Sequence, residues 1–266
     1  MGKDKRADID MHDSTKNDLS GKTALITGAA RRIGAAIATR LHETGVKVAI
    51  HYRSSAEDAG QLTSQLNDKR SESARAFQAD LIEHGAVDTL VKNIVDWTGR
   101  LDILVNNAST FYPTPLGEID ENAWTDLVGS NLKVPMFLSQ AAMPQLRANG
   151  GSIVNIVDIH ATRPLRDHHV YGAAKAGLAM LTRSLAKDLA PEVRVNGVSP
   201  GAIAWPENDM SDETKQAILD QIPLGRAGDP SDIANAVLFF VRDATYATGQ
   251  VMAIDGGRST GWKEIS

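Results

Sequence analysis

The sequence predicts one doubly wound α/β domain built on a parallel sheet. Two observations predict it. Seven short runs rich in valine and isoleucine recur along the chain, at residues 23–27, 46–52, 74–80, 102–108, 152–157, 194–200 and 250–257. Amphipathic stretches of helical length separate them, at residues 31–44, 56–69, 85–98, 121–147, 171–190 and 230–242. Strands without polar alternation are buried on both faces, and repeated strand–helix–strand units need right-handed crossovers that put helices on both sides of the sheet. Neither a Pro/Ser-rich linker nor a short repeat divides the 266 residues, so a single domain over 19–266 is expected.

Bulk composition narrows the function classes. With 42% hydrophobic and 23% charged residues the chain is of ordinary globular type. A net charge of −5 supplies no general attraction for nucleic acid or membrane, so neither is expected as a partner. The absence of cysteine rules out disulfides, thiol catalysis and cysteine-ligated metal, and agrees with an expected cytoplasmic location. No apolar run approaches the ~18 residues that span a bilayer. Residues 1–18 lack the apolar centre of a secretory signal and are expected to form a disordered leader.

The first strand runs into GAARRIG, where Gly28 and Gly34 bracket a turn. Glycine permits a tight turn and lets backbone approach a pyrophosphate, which a helix N-terminus then binds. The middle glycine of the usual dinucleotide fingerprint is replaced by Arg32, beside Arg31 and Ile33. The segment is either such a site or an ordinary glycine-containing turn.

The second strand ends in His51, Tyr52, Arg53, Ser54 and Ser55. No carboxylate stands there to accept from a ribose 2′-hydroxyl; Glu57 and Asp58 come later, inside the helix. A cation with hydroxyls suits a 2′-phosphate, so NADPH is expected rather than NADH. The alternative for Arg53 is a solvated surface arginine.

The third strand ends at Asp80 and Leu81, where a carboxylate can accept from an adenine amine. The fourth ends in Asn106, Asn107 and Ala108. Asn106 either ties neighbouring loops together or contacts the cofactor.

The fifth strand ends at Asp158, thirteen residues before Tyr171, and Lys175 follows one helical turn later. A phenol beside an ammonium is a plausible proton donor, its pKa expected to fall from about 10 towards working pH. The sixth strand ends at Pro200-Gly201. Residues 203–224 then break the rhythm with two prolines and an acidic helix candidate over 212–221. This insertion is either a substrate lid at the ligand-binding edge or a surface excursion. His168 and His169 are adjacent and would diverge on a helix, so they are loop or interface residues and no metal site is expected.

With the glycine turn, the NNA segment and Y-x-x-x-K in one βα series, the chain resembles the short-chain dehydrogenase/reductase family over roughly residues 19–257. The resemblance implies a Rossmann fold with a seven-stranded sheet. It implies that Tyr171 donates or accepts a proton and that Lys175 lowers its pKa and binds the nicotinamide ribose. Asn131, in GSNLKVP, would hold a water near the lysine, and Pro200-Gly201 would meet the nicotinamide carboxamide. Ile33, Leu81, Asn107 and Ala108 fall in the cofactor site, TGQVMAIDGG fits the closing strand, and a homotetramer is implied through two long helices.

One departure narrows the chemistry. Most of that family has serine where this chain has Asp158. A carboxylate repels a developing oxyanion, but it bonds N–H groups of a nitrogen heterocycle or relays a proton. Together with GAARRIG and NNASTFYPTPL, the segment VDIHATRPL resembles the pteridine reductase branch. There Phe111 would stack on a pterin against the nicotinamide, with Ser109 and Arg32 touching substrate and cofactor phosphate. Otherwise Phe111 is a core or subunit-contact aromatic. The HYRSS segment is one residue shorter than in that branch, leaving the roles of Arg53 and Ser54 open, with Arg31 a further candidate phosphate contact.

The expected activity is NADPH-dependent reduction of a dihydropterin, with oxidised pterin or dihydrofolate as further substrates. The rival within the fold is a carbonyl reductase, such as a 3-oxoacyl thioester reductase, against which Asp158 argues. The rival of another class is a non-catalytic NADP-binding sensor, against which Tyr171 and Lys175 argue.

Overall fold

A computed structural model describes residues 18–204 and 211–261. Residues 1–17 of the expected leader and 205–210 of the irregular interval lie outside the described residues. The strands are β1 (Thr23–Ile26), β2 (Lys47–Tyr52), β3 (Ala74–Gln78), β4 (Ile103–Asn106), β5 (Ser152–Ile156), β6 (Arg194–Pro200) and β7 (Val251–Ile254). All pair in parallel in the order β3-β2-β1-β4-β5-β6-β7. The order reverses between β1 and β4. That reversal opens a crevice at the carboxyl edge, where doubly wound sheets take ligands.

The helices are α1 (Arg32–His42), α2 (Ala56–Lys69), α3 (Ala86–Thr98), α4 (Glu121–Val128), α5 (Val134–Asn149), α6 (His169–Leu189), α7 (Asp212–Leu219) and α8 (Pro230–Leu238). Successive strand residues point to opposite faces, so each central strand feeds two cores. Ile26, Val105 and Val154 pack under Ile37 of α1, Leu62 of α2 and Val237 of α8. Leu25, Leu104 and Ile153 pack under Ile94 of α3, Leu138 of α5 and Leu189 of α6. Every residue of β1, β4 and β5 is buried, as the valine- and isoleucine-rich runs imply. No helix among the described residues is long and apolar enough to cross a membrane.

Two differences from expectation, and one choice between stated alternatives, bear on the site. The single helix expected over 121–147 is two helices joined by a π-helical turn, Gly129–Lys133, which carries buried Asn131. Helix α6 begins at His169, before Tyr171, so His169 is helical and His168 stands at its N-cap. Asn106 ties the fold together: its Nδ2 donates to Asn155 Oδ1 at 2.8 Å, and Asn155 Nδ2 donates to Thr182 Oγ1 at 2.9 Å.

Candidate active site

At the β1–β4 reversal a cavity of about 360 Å³ gathers five chain segments. From the first turn come Gly28, Arg31, Arg32 and Ile33, and from the end of β2 come His51, Tyr52, Arg53 and Ser54. Asp80 and Leu81 follow β3, and Asn107, Ala108 and Ser109 follow β4. Ser55, the second hydroxyl of the expected phosphate selector, lines it as well, with Thr110 and Ser130, which the sequence did not mark as contacts.

The turn is closely built. Gly28 has φ +60°, and a Cβ there would lie 3.0 Å from Ala108 Cα. Arg32 occupies a left-handed φ of +52°, which explains why glycine suits this position. Asn107 secures the turn from behind, its Nδ2 donating to the carbonyls of Thr27 at 2.8 Å and Gly28 at 3.0 Å. Close backbone approach, a helix N-terminus and nearby guanidinium groups fit a dinucleotide diphosphate. Arg53 Nη1 lies 4.0 Å from Asp126 and Arg31 Nε 3.7 Å from Asp58. Both guanidiniums are half exposed, so these ion pairs are weak.

Asp158 follows β5 as the N-cap of a single 3₁₀ turn, its Oδ1 accepting from the His160 amide at 2.8 Å. Its Oδ2 accepts from the Tyr171 hydroxyl at 2.7 Å. Lys175 is buried, donates to the Ile156 carbonyl at 2.9 Å and lies 5.6 Å from the Tyr171 ring centroid. The Ser109 hydroxyl donates to Asn131 Oδ1 at 2.7 Å. The Asn131 amide donates to the carbonyls of Thr110 and Leu127, each at 2.9 Å. Asn131 is therefore a strut for the Ser109–Thr110 loop, with its donors engaged by backbone.

These contacts reverse one expectation. The Tyr171 pKa is raised, first by burial and then by the charge and hydrogen bond of Asp158, while Ser109 opposes the rise. The nearest charge to the phenol is the carboxylate, not the ammonium. Burial lowers Lys175 to about 8, with Asp158 opposing.

Phe111 is 55% exposed, stacked on His168 (centroids 4.6 Å, planes at 20°) and edge-on to Tyr171 at 4.8 Å. Its exposed ring therefore borders Tyr171. Pro200 pairs with Ile254 and the Gly201 amide donates to its carbonyl at 3.0 Å, placing both at the same edge. Near the site, the sequence marks His168 only as a loop or interface residue, and Arg258 not at all. His168 backs Phe111. Arg258, on the loop after β7, donates to Gln221 Oε1 at 2.9 and 3.3 Å, and burial lowers its pKa against the opposing charges of Asp158 and Asp255. The available signal for Arg258 was its place directly after the DGG that closes a strand beside β6.

Residues 28–259 match a family model described as Enoyl-(Acyl carrier protein) reductase. The chain belongs to the short-chain dehydrogenase/reductase family. It is accordingly an oxidoreductase of the class that takes a nicotinamide cofactor. Its relatives include 3-oxoacyl-[acyl-carrier-protein] reductase FabG of Staphylococcus aureus, 40% identical over 240 residues, covering 89% of this chain and 97% of the relative. FabG of Staphylococcus epidermidis is 38% identical over 240 residues, covering 89% and 98%. Pteridine reductase 1 of Leishmania tarentolae is 38% identical over 278 residues, covering 89% and 96%.

Proposed function

We propose that this enzyme is an NADPH-dependent pteridine reductase that takes a dihydropterin, and with it oxidised pterin or dihydrofolate, to the tetrahydro form. The observation that carries the reading is the Tyr171–Asp158 hydrogen bond of 2.7 Å where the family usually has serine. A carboxylate there suits a ring with N–H donors and opposes a developing alkoxide. The exposed Phe111 ring beside Tyr171 supports a flat aromatic substrate.

Gly28, Arg32 and Ile33 would hold the pyrophosphate, and Arg31, Arg53 and Ser54 the 2′-phosphate. Asp80 and Leu81 would meet the adenine; Asn107, Ala108, Lys175, Pro200 and Gly201 would meet the nicotinamide riboside. The cofactor, when bound, supplies the hydride. Tyr171, kept protonated by burial and by Asp158, donates the proton that the substrate ring nitrogen gains. Asp158 accepts from substrate N–H groups and relays the replacement proton. Ser109, held by Asn131, orients the phenol, and Phe111 positions the ring by stacking.

The 203–224 segment is the substrate loop, a reading supported by the Arg258–Gln221 bonds that tie its end to the Asp158 side of the cleft. Exposed Met136 and Phe137 on α5 and Met180 on α6 support a homotetramer formed through the long helices. The absence of cysteine supports a cytoplasmic setting.

The comparisons favour a second reading, reduction of a 3-oxoacyl thioester. The family description names an acyl-carrier-protein reductase, and FabG relatives reach 40% identity against 38% for the pteridine reductase. Asp158 is the specific argument against it. NADPH oxidation against dihydropterin, pterin, dihydrofolate and a 3-oxoacyl thioester separates the two. Turnover of pterins with none of the thioester is expected, and the reverse pattern replaces the first reading with the second. Cofactor binding without any turnover would instead leave a sensor.

A further inference from the structure

We infer that His51 is a positioning residue for the dinucleotide, latching the glycine turn into the shape that meets the pyrophosphate. Although it borders the cavity, its side chain is nearly closed off, at 3% exposure, and both ring nitrogens are engaged by backbone. The Gly28 amide donates to Nδ1 at 3.2 Å, and Nε2 lies 3.1 Å from the Ala79 carbonyl. Because Gly28 brings the hydrogen, Nδ1 is the bare nitrogen, and Nε2 carries the proton donated to Ala79. The carbonyl of His51 itself accepts from the Ala29 amide at 2.8 Å.

One residue thus takes two successive amides of the turn and joins the ends of β1, β2 and β3. The neutral form that the Gly28 bond requires is favoured, since burial holds the imidazole below its usual range. Two consequences follow for the ligand. The amides of Gly28 and Ala29 face the sheet, so the phosphates are left to the amides at the start of α1, which have no intrahelical acceptor. Gly28, at φ +60°, keeps its left-handed turn through the imidazole. The pyrophosphate is common to NADPH and NADH, so the latch acts on both alike, whichever substrate is reduced.

Asparagine and glutamine separate the two ring bonds. His51→Asn keeps an acceptor near Nδ1, and His51→Gln keeps a donor near Nε2 but loses the acceptor for Gly28. The test is direct titration of the purified full chain with NADPH and with NADH, followed by protein fluorescence, with hydrogen exchange at the Gly28 amide as a second readout. Loss of the bond in His51→Gln is expected to weaken both cofactors by the same factor, about tenfold. Their affinity ratio stays as in the parent, and Gly28 exchange accelerates. His51→Asn is expected to bind within about threefold of the parent with Gly28 still protected. Parent-like affinity in His51→Gln, equal losses in both variants, or a loss confined to NADPH would each overturn the assignment. Should His51→Gln not fold, His51→Asn decides: parent-like binding with a protected Gly28 sustains the latch, and weakened binding overturns it.

Discussion

The cofactor half of the cleft, at the ends of β1 to β4, is built chiefly from backbone. The substrate half, at the ends of β5 to β7, is built from side chains. In the first, Gly28 and Ala29 are latched by His51, Asn107 braces the turn, and strand ends supply the walls. In the second, a carboxylate after β5, a phenol and a buried ammonium on α6, and an exposed phenyl ring from the loop after β4 converge. The backbone-built half serves any dinucleotide reductase of this fold, and its chemistry changes little with one side chain. The side-chain half is expected to change its chemistry when one residue changes, which makes Asp158, where the family usually has serine, the position to test.

Substitutions in the two halves should therefore fail differently. Tyr171→Phe removes the proton donor and is expected to lower kcat about 10²- to 10⁴-fold while NADPH binding, titrated directly, stays put. Arg53→Ala acts in the other half. It is expected to weaken NADPH about tenfold, leave NADH unchanged and spare kcat, so KM for the two cofactors checks it. Loss of NADH binding as well would place Arg53 on the pyrophosphate instead.

The pH dependence sharpens the contrast. Lys175 has a folded pKa of about 8, below its usual 10.5, so it loses its charge as pH rises through 8. Tyr171, pushed upward, stays protonated over the same range. Reduction is expected to fall several-fold between about pH 7 and 9 as the ammonium is lost. The unfolded chain binds the extra proton between the two values, so the lysine's contribution to stability rises with pH there. Rate and melting temperature, measured in one buffer series, should therefore move in opposite directions. The smallest effect is Arg32→Gly, which relieves the +52° φ and is expected to stabilise the chain by about 1 kcal/mol in denaturant melts while slightly weakening NADPH.

The same contrast explains what was legible in the sequence. Strands buried on both faces announce themselves as unbroken valine and isoleucine runs, so the sheet and the glycine turn could be placed from pattern alone. The π-helical turn at Gly129–Lys133 could not. The 3.6-residue period continues across it, and the bonds of Asn131 to the Thr110 carbonyl and the Ser109 hydroxyl come from a distant loop. The sign of the Tyr171 shift was hidden for a similar reason. Lys175 is visible one turn away, but burial and the close approach of Asp158 decide the outcome. Arg258 meets Gln221 across 37 residues, a contact that no local pattern encodes.

The central claim is that Asp158 selects a pterin over a carbonyl. Its most direct test compares kcat/KM for a dihydropterin and for a 3-oxoacyl thioester in the parent enzyme and in Asp158→Ser. The parent is expected to prefer the pterin, and the substitution to shift the ratio towards the thioester by about a hundredfold, the scale of one misplaced charge at a reacting centre. A parent that prefers the thioester, or a ratio that Asp158→Ser leaves unchanged, would contradict it.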